Sequence, residues 1–211
     1  AIILGDVEKN GFKVNTKKLE EVGTYFNEKM KISEQEIFSL VGYELNVASP
    51  KQLGVVLFED LNLGKAKKTK TGYSTAADVL DKLAPDYPIV NKILEYRQLT
   101  KLKSTYADGL MKVVEEDGRI RTTFQNLVTA TGRLSSTEPN LQNIPVRTDD
   151  GKRLRAFFTV RDPDNILIDA DYSQIELRVL AHIAGDQVMG DAFRNGLDIH
   201  TATAAQVFDV P

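Results

Sequence analysis

The residue of this chain whose setting most clearly indicates chemistry is Asp171. It ends an apolar run, residues 165–171, that is predicted to be a buried strand, and it precedes a helix predicted over about 174–184. Ligands collect at such strand ends, and a carboxylate there can bind a hard divalent cation such as Mg²⁺. Asp169 shares the face of Asp171 only if the strand continues unbroken through it. A helix N-cap is the alternative role for Asp171.

Two further polar residues have positions suited to binding. Glu176 lies one helical turn and a residue beyond Asp171, so it can face the same pocket, and an exposed helix acid is its alternative role. His200 lies just inside a helix predicted over about 199–208, where free amides and the helix dipole favour an anion. For His200 the alternative is an ordinary polar residue at a helix start.

The basic residues are unevenly distributed, although the net charge is only −3. Two local concentrations stand out, one cluster free of acids and one longer stretch with three acids. The first contains Lys65, Lys67, Lys68 and Lys70, and the second contains Arg119, Arg121, Arg133, Arg147, Lys152, Arg153, Arg155 and Arg161, with Glu138, Asp149 and Asp150. Such local basic surfaces are typical of a groove that follows phosphates, and a solvated charged face is the alternative.

The apolar spacing predicts which elements position these residues. A long amphipathic helix is expected over about 15–42, with Asn15 as its N-cap, and Ser49 caps a second helix that ends before Gly64. Further helices are predicted over about 75–83, 88–106, 174–184, 186–193 and 199–208. Asp117 and Gly118 predict a hairpin turn that leads into a strand over 119–124. The chain is therefore helical first and mixed with strands afterwards, with a domain boundary near Asp117.

The composition excludes several classes of protein. With 42% hydrophobic and 27% charged residues, the chain is neither a disordered tail nor a collagen-like fibre nor a coiled coil. Its lack of cysteine excludes disulfides and thiolate chemistry and fits a reducing cytoplasm. Neither a run of about 20 apolar residues nor a signal peptide is visible, so no membrane is expected as a partner. Because the chain begins without Met and ends at Pro211, we expect a piece of a larger protein.

Four blocks of the sequence resemble blocks of family A DNA polymerases, the bacterial DNA polymerase I type, and they occur in the order of that family. Residues 171–178 (DYSQIELR) resemble motif A, and residues 129–145 (TATGRLSSTEPNLQNIP) resemble a second long and specific block. The triplet DIH at 198–200 and the segment ASPKQL at 48–53 are shorter. The likeness covers nearly the whole chain, although the triplet would carry no weight alone.

The resemblance implies an α+β fold. Residues 1–116 would form a helical thumb subdomain, and residues 117–211 would form the N-terminal part of a mixed α/β palm with a partly antiparallel sheet. The fingers and the rest of the palm would lie outside the chain. The implied activity of the parent, a DNA-directed DNA polymerase, is template-directed transfer of deoxynucleotides to a primer 3′-hydroxyl with two Mg²⁺ ions. The 211-residue fragment alone is expected to be inactive.

The resemblance also implies individual roles. Asp171 would be the catalytic carboxylate that binds both metal ions, joined by the backbone carbonyl of Tyr172, and Glu176 would exclude a ribose 2′-hydroxyl. Arg133 would reach the minor-groove acceptors of the primer-terminal pair, which occur in every Watson–Crick pair. The implied nucleotide-binding residues are Gln174, Ile175, Glu176 and His200, and the implied DNA-binding residues are Arg97, Lys101, Lys103, Arg133, Asn140, Gln142 and Asn143.

The implied partners are primer–template DNA, deoxynucleoside triphosphates and the rest of the polymerase chain. Two other functions compete with this interpretation. A non-catalytic module that binds duplex DNA without sequence preference would use the same basic residues. A metal-dependent phosphohydrolase built on Asp171 is the weaker alternative, since no second acid or histidine cluster accompanies that residue.

Overall fold

The computed structural model describes residues 2–64, 68–69 and 72–208. Three members of the predicted lysine cluster, Lys65, Lys67 and Lys70, lie outside the described residues, and so does the side chain of Lys68. Contacts divide the chain into two compact units, Ala1–Asn165 and Ile166–Pro211.

The first unit is built mainly from helices. They are α1 (Ile2–Asn10), α2 (Thr16–Val41), α3 (Pro50–Val55), α4 (Ala77–Leu83), α5 (Pro88–Lys101), α6 (Asp108–Met111) and α7 (Asp149–Arg155). Two π-helical segments, Val56–Asp60 and Leu102–Ala107, continue α3 and α5. Among the described residues, none of the helices has both the length and the apolar character that crossing a membrane requires.

Helix α2 forms where the sequence predicts it. The side-chain oxygen of Asn15 accepts a hydrogen bond from the backbone N–H of Lys18 at 3.0 Å and so caps the first turn. At the other end Gly42 adopts a φ of 90°, a left-handed conformation that favours glycine. Phe26 and Ile37 are fully buried along one face, which confirms the amphipathic pattern.

The strands of the first unit are short and pair antiparallel. They are β1 (Phe12–Lys13), β2 (Lys68–Thr69), β3 (Gly72–Tyr73), β4 (Arg119–Ile120), β5 (Thr123–Gln125) and β6 (Ser135–Thr137). The pairs are β1 with β4, β2 with β3, and β5 with β6, with Phe124 opposite Ser136 in the last. The predicted strand over 119–124 is therefore two strands, and the turn at Gly118 directs the first of them to β1.

Residues 117–165 belong to the first unit because they complete its core. Ile120, Leu154 and Phe157 are buried in the same apolar cluster as Phe26 of α2. A second cluster, around Leu53, Leu80 and Ile93, fills the space between α3, α4 and α5. The helices and small antiparallel sheets confirm the α+β class. The boundary near Asp117, expected where helices give way to strands, stays a prediction.

The second unit contains α8 (Ile175–Ala184), α9 (Gln187–Arg194) and α10 (Ile199–Phe208). Gly185 ends α8 with a φ of 65°, and Asp186 caps α9 through a hydrogen bond from the N–H of Met189, so these predicted helices are confirmed. The predicted buried strand over 165–171 is wrong, because these residues form no strand and are exposed, Ile166 by 78% and Ile168 by 81%. A strand requires a paired neighbour, and no described residue pairs with this segment.

Gly151 of α7 offers a test of how the end of the first unit is packed. A Cβ atom at this position would lie 2.6 Å from the backbone oxygen of Pro145, closer than packing allows. We therefore expect Gly151→Ala to lower the free energy of unfolding by about 2 kcal/mol. At Gly23 of α2 a Cβ would lie 3.7 Å from Ala107, so Gly23→Ala should stabilise the chain by about 0.5 kcal/mol. Urea unfolding of the two variants checks the opposite signs; equal effects would contradict the close packing of α7.

Candidate functional site

Asp171 and Tyr172 lie on the segment that leads into α8. Both side chains are exposed, Tyr172 by 79%. The cap position of α8 is occupied by Gln174, which has a φ of 53°, and its own side chain makes no cap hydrogen bond. The N-cap role considered for Asp171 is therefore wrong, and its carboxylate stands in front of the helix rather than on its first amides.

Gln174 connects this segment to the start of α10. Its side-chain amide donates to Asp198 Oδ1 at 3.1 Å, and the backbone N–H of His200 donates to the same oxygen at 3.0 Å. The hydroxyl of Thr201 donates to Asp198 Oδ2 at 3.2 Å. These hydrogen bonds, first that from Gln174, hold the pKa of the Asp198 carboxyl below its usual value. The structure thus brings Gln174 and His200 together through Asp198.

Asp198 is a residue that sequence reasoning named only within its triplet and gave no role. An aspartate directly before a helix is a common N-terminal capping residue, and that signal could have identified it. Ile175 and Glu176 occupy the first turn of α8 with exposed side chains. Arg178 donates from Nε to the carbonyl of Ser173 at 2.8 Å and lies 4.5 Å from the ring centre of Phe193, so it holds the start of α8.

The oxygen donors near α8 fit a hard divalent cation only in part. A carboxylate at Asp171 and a backbone carbonyl at Tyr172 are ligand types that Mg²⁺ accepts. Within the described parts of the chain, no group of three or more His, Asp or Glu residues could hold a metal ion. The residues present would therefore contribute ligands to a cation without completing its site.

Four predicted DNA-binding residues share one segment of the first unit. Arg133 and Asn140 are exposed on the segment that contains β6, and Asn140 Oδ1 accepts from the backbone N–H of Gln142 at 3.0 Å. The carbonyl of Asn143 accepts a hydrogen bond from the Tyr106 hydroxyl. The side chain of Gln142 is hydrogen-bonded to the backbone of Ser136 in β6 and of Leu134 just before it. The structure thus presents Arg133, Asn140 and Asn143 on one folded segment.

The three predicted DNA-binding residues of the helical part are not all brought together. Arg97 and Lys101 of α5 line one groove of about 640 Å³ together with Thr75 and Ser104. Arg97 donates to the carbonyl of Thr75 and, at 2.9 Å, to its hydroxyl, and burial lowers the pKa of the guanidinium. This arginine therefore has a structural partner already.

Lys103 lies apart from that groove. It pairs with Asp108 at 2.6 Å and lines a different groove, beside Glu20 and Gly23 of α2. The cause is the spacing along the helix, because Lys103 lies two residues beyond Lys101 and residues two apart do not face the same side.

Part of the predicted basic stretch is neutralised. Arg121 pairs with Asp117 at 2.6 Å and with Glu115 at 2.7 Å, two acids that lie just before the stretch. Arg119 donates to the carbonyl of Asn10 at 2.8 Å, and Arg161 donates to the side chain of Asn10 at 3.3 Å. Arg121 also donates to the carbonyl of Lys9 at 2.9 Å, so these three arginines join α1 to the rest of the first unit. The expected phosphate-binding surface is therefore narrower than the sequence indicates.

Comparison with known proteins agrees with this arrangement. Residues 16–211 match the family described as DNA polymerase family A. The chain is 56% identical over 209 residues to DNA polymerase I of Geobacillus stearothermophilus, covering 99% of this chain and 24% of the relative. It is 52% identical over 211 residues to DNA polymerase I of Bacillus subtilis, covering 100% of this chain and 24% of that protein. The chain thus spans about a quarter of the length of these curated relatives.

The fold agrees with a solved structure. The chain superposes with a TM-score of 0.84 and 43% identity on the POL domain of Pol1 from M. smegmatis in complex with DNA primer-template and dNTP, covering 99% of this chain and 37% of that one. Because the family match covers nearly the whole chain and the relatives and the fold agree with it, the chain belongs to DNA polymerase family A.

Proposed function

We propose that these 211 residues form the thumb and the first part of the palm of a longer DNA-directed DNA polymerase. Its reaction is template-directed transfer of a deoxynucleotide to a primer 3′-hydroxyl. The observation that carries the proposal is the family match over residues 16–211, which includes Asp171 and the segment around Arg133. The relevant test is primer extension by the full-length protein with four deoxynucleoside triphosphates, and failure to extend a matched primer would contradict it.

In this proposal the second unit serves the incoming nucleotide. Asp171 and the carbonyl of Tyr172 would hold divalent cations, proposed to be two Mg²⁺ ions, which when bound would supply charge stabilisation to the transferring phosphoryl group. Gln174 and Ile175 line the nucleotide, and Glu176 limits the space beside its sugar. His200 meets the triphosphate through its side chain, supported by its place in the first turn of α10, where the helix dipole favours an anion.

The first unit serves primer–template DNA. Lys101 contacts duplex phosphates. Lys103 and Arg97 are weaker candidates for such contacts, because both have partners within the fold. Arg133, Asn140 and Asn143 face the minor groove near the primer end. Replication and repair in the cytoplasm are the roles that such a polymerase would fill.

A second function applies to the 211-residue chain by itself. The exposed Lys101, which lines the groove beside α5, favours a non-catalytic module that binds duplex DNA without sequence preference. Binding would depend on phosphate contacts and would therefore weaken steeply as salt replaces the counterions.

We expect Lys101→Ala to reduce the salt dependence of duplex binding by this chain. Loss of one phosphate contact should lower the slope of log K against log salt by about 0.9. Lys92→Ala is the matched control, since Lys92 lies on the same helix but pairs with Glu36 at 2.7 Å. Titrations of duplex DNA between 50 and 200 mM salt measure both slopes. An unchanged slope for Lys101→Ala would show that the groove beside α5 does not follow phosphates.

A further inference from the structure

The side chain of Gln142 is bound to one edge of β6. Its Oε1 accepts from the N–H of Ser136 at 3.0 Å, and its Nε2 donates to the carbonyl of Leu134 at 3.0 Å. The other edge of β6 is paired with β5. The amide of Gln142 thus occupies the position of a peptide group from a neighbouring strand.

The hydroxyls of Ser136 in β6 and of Thr122 hold the same segment in place. Ser136 is fully buried, and its Oγ lies 2.6 Å from Thr122 Oγ1. Thr122 also reaches the carbonyl of Pro139 at 2.8 Å, and the N–H of Leu141 donates to Ser136 Oγ at 3.1 Å. Because buried polar groups are costly to leave unpaired, this network resists displacement of the chain between β6 and Gln142.

These contacts fix the backbone around Arg133. The carbonyl of Arg133 accepts from the hydroxyl of Thr129, and the next carbonyl, that of Leu134, is held by Gln142. A long arginine side chain loses less entropy on binding when its backbone is already placed. A small displacement of the reading group can in turn cost a large part of its effect.

We infer that Gln142 is a positioning residue which, with Ser136 and Thr122, holds Arg133 in place for the minor-groove edge of the primer-terminal pair. The inference rests on the proposed role of Arg133. It differs from the expectation that Gln142 contacts DNA itself, because moving its amide to a base would break both bonds to β6.

The test uses the full-length polymerase and a primer that ends in guanine or in 3-deazaguanine, which lacks the N3 acceptor of the minor groove. For the unmodified enzyme, kcat/KM for the next nucleotide should fall about tenfold on the deaza primer, as expected for one lost hydrogen bond to a charged group. Arg133→Ala should have the same kcat/KM on both primers. Gln142→Met, which keeps the length but lacks the amide, should lose most of the response to N3.

A double variant separates positioning from contact. If Gln142 acts through Arg133, then Gln142→Met should change kcat/KM little further in the Arg133→Ala background. Ser136→Ala should act like Gln142→Met, which provides a second route if either variant is poorly folded. Thr137→Val is the matched control, since the hydroxyl of Thr137 bonds to the carbonyl of Thr123 outside this network; its response to N3 should equal that of the unmodified enzyme.

The outcomes distinguish the inference from the proposed function. If the unmodified enzyme does not respond to N3, Arg133 does not read the minor groove, and the inference falls with that role. If the unmodified enzyme loses kcat/KM on the deaza primer, and both Gln142→Met and Ser136→Ala lose as much as it does, only the positioning inference is overturned. Additive losses in the double variant would also overturn it, and would indicate direct contact between Gln142 and DNA.

Discussion

Asp171→Ala in the full-length polymerase is expected to lower kcat by about a thousandfold or more. The carboxylate stands exposed before α8 and does not cap the helix, so its removal costs the fold little. Under the proposed function, it would remove a ligand for the cations that stabilise charge on the transferring phosphoryl group, an effect of several kcal/mol. Affinity for primer–template DNA should stay within about threefold, because the proposed phosphate contacts to the duplex are made by other residues such as Lys101.

The measurement is single-nucleotide incorporation at saturating substrate, together with a DNA titration in the absence of nucleotide. Asp164→Ala is the matched control, since Asp164 is an equally exposed aspartate with no proposed role. Asp171→Asn keeps the shape of the side chain but not its charge, and it should be nearly as slow as Asp171→Ala. Turnover near normal in Asp171→Ala would show that this residue is only a surface acid.

Local signals in the sequence predict the helices well, for identifiable physical reasons. Asn15 and Gly42 delimit α2 because a side-chain acceptor satisfies the first amides and a glycine adopts the left-handed conformation at the end. Ser49 and Pro50 start α3 in the same way. Such interactions lie within a few residues along the chain, so the sequence contains them directly.

Features that depend on distant partners could not be predicted in this way. The apolar run at 166–168 resembles a buried strand, yet a strand depends on neighbours, and none of the described residues supplies them. The resemblance implies that Lys103 contacts DNA, but the fold places it beside α2 and pairs it with Asp108. The amide of Gln142 has a donor and an acceptor suited to DNA, and only the fold shows that this amide is bound to β6.

Glu176 gives a second large expected effect, a relaxed choice of sugar. Glu176→Ala should lower the ratio of kcat/KM for a matched deoxynucleotide to that for the ribonucleotide by about tenfold or more. Glu176 lies in the first turn of α8, on the helix that follows Asp171. A methyl group would leave room for a 2′-hydroxyl, and it would remove a carboxylate that must otherwise lose water beside the sugar.

The exposed position of Glu176 allows another explanation, which the experiment must separate. An acid in the first turn of a helix stabilises it by about 0.5 kcal/mol through the dipole, and Glu176→Ala and Glu176→Gln both remove this charge. Glutamine nevertheless keeps the volume beside the sugar. If Glu176 selects the sugar by its volume, Glu176→Gln should retain most of the selectivity that Glu176→Ala loses. Selection by its charge would instead be lost in both variants.

Asp191→Ala is the control, because it removes an exposed acid of α9 that pairs with Arg194, and it should leave the ratio unchanged. A ratio for Glu176→Ala within about twofold of the unmodified enzyme would place sugar selection elsewhere in the polymerase, because the volume beside the sugar would then not depend on this side chain.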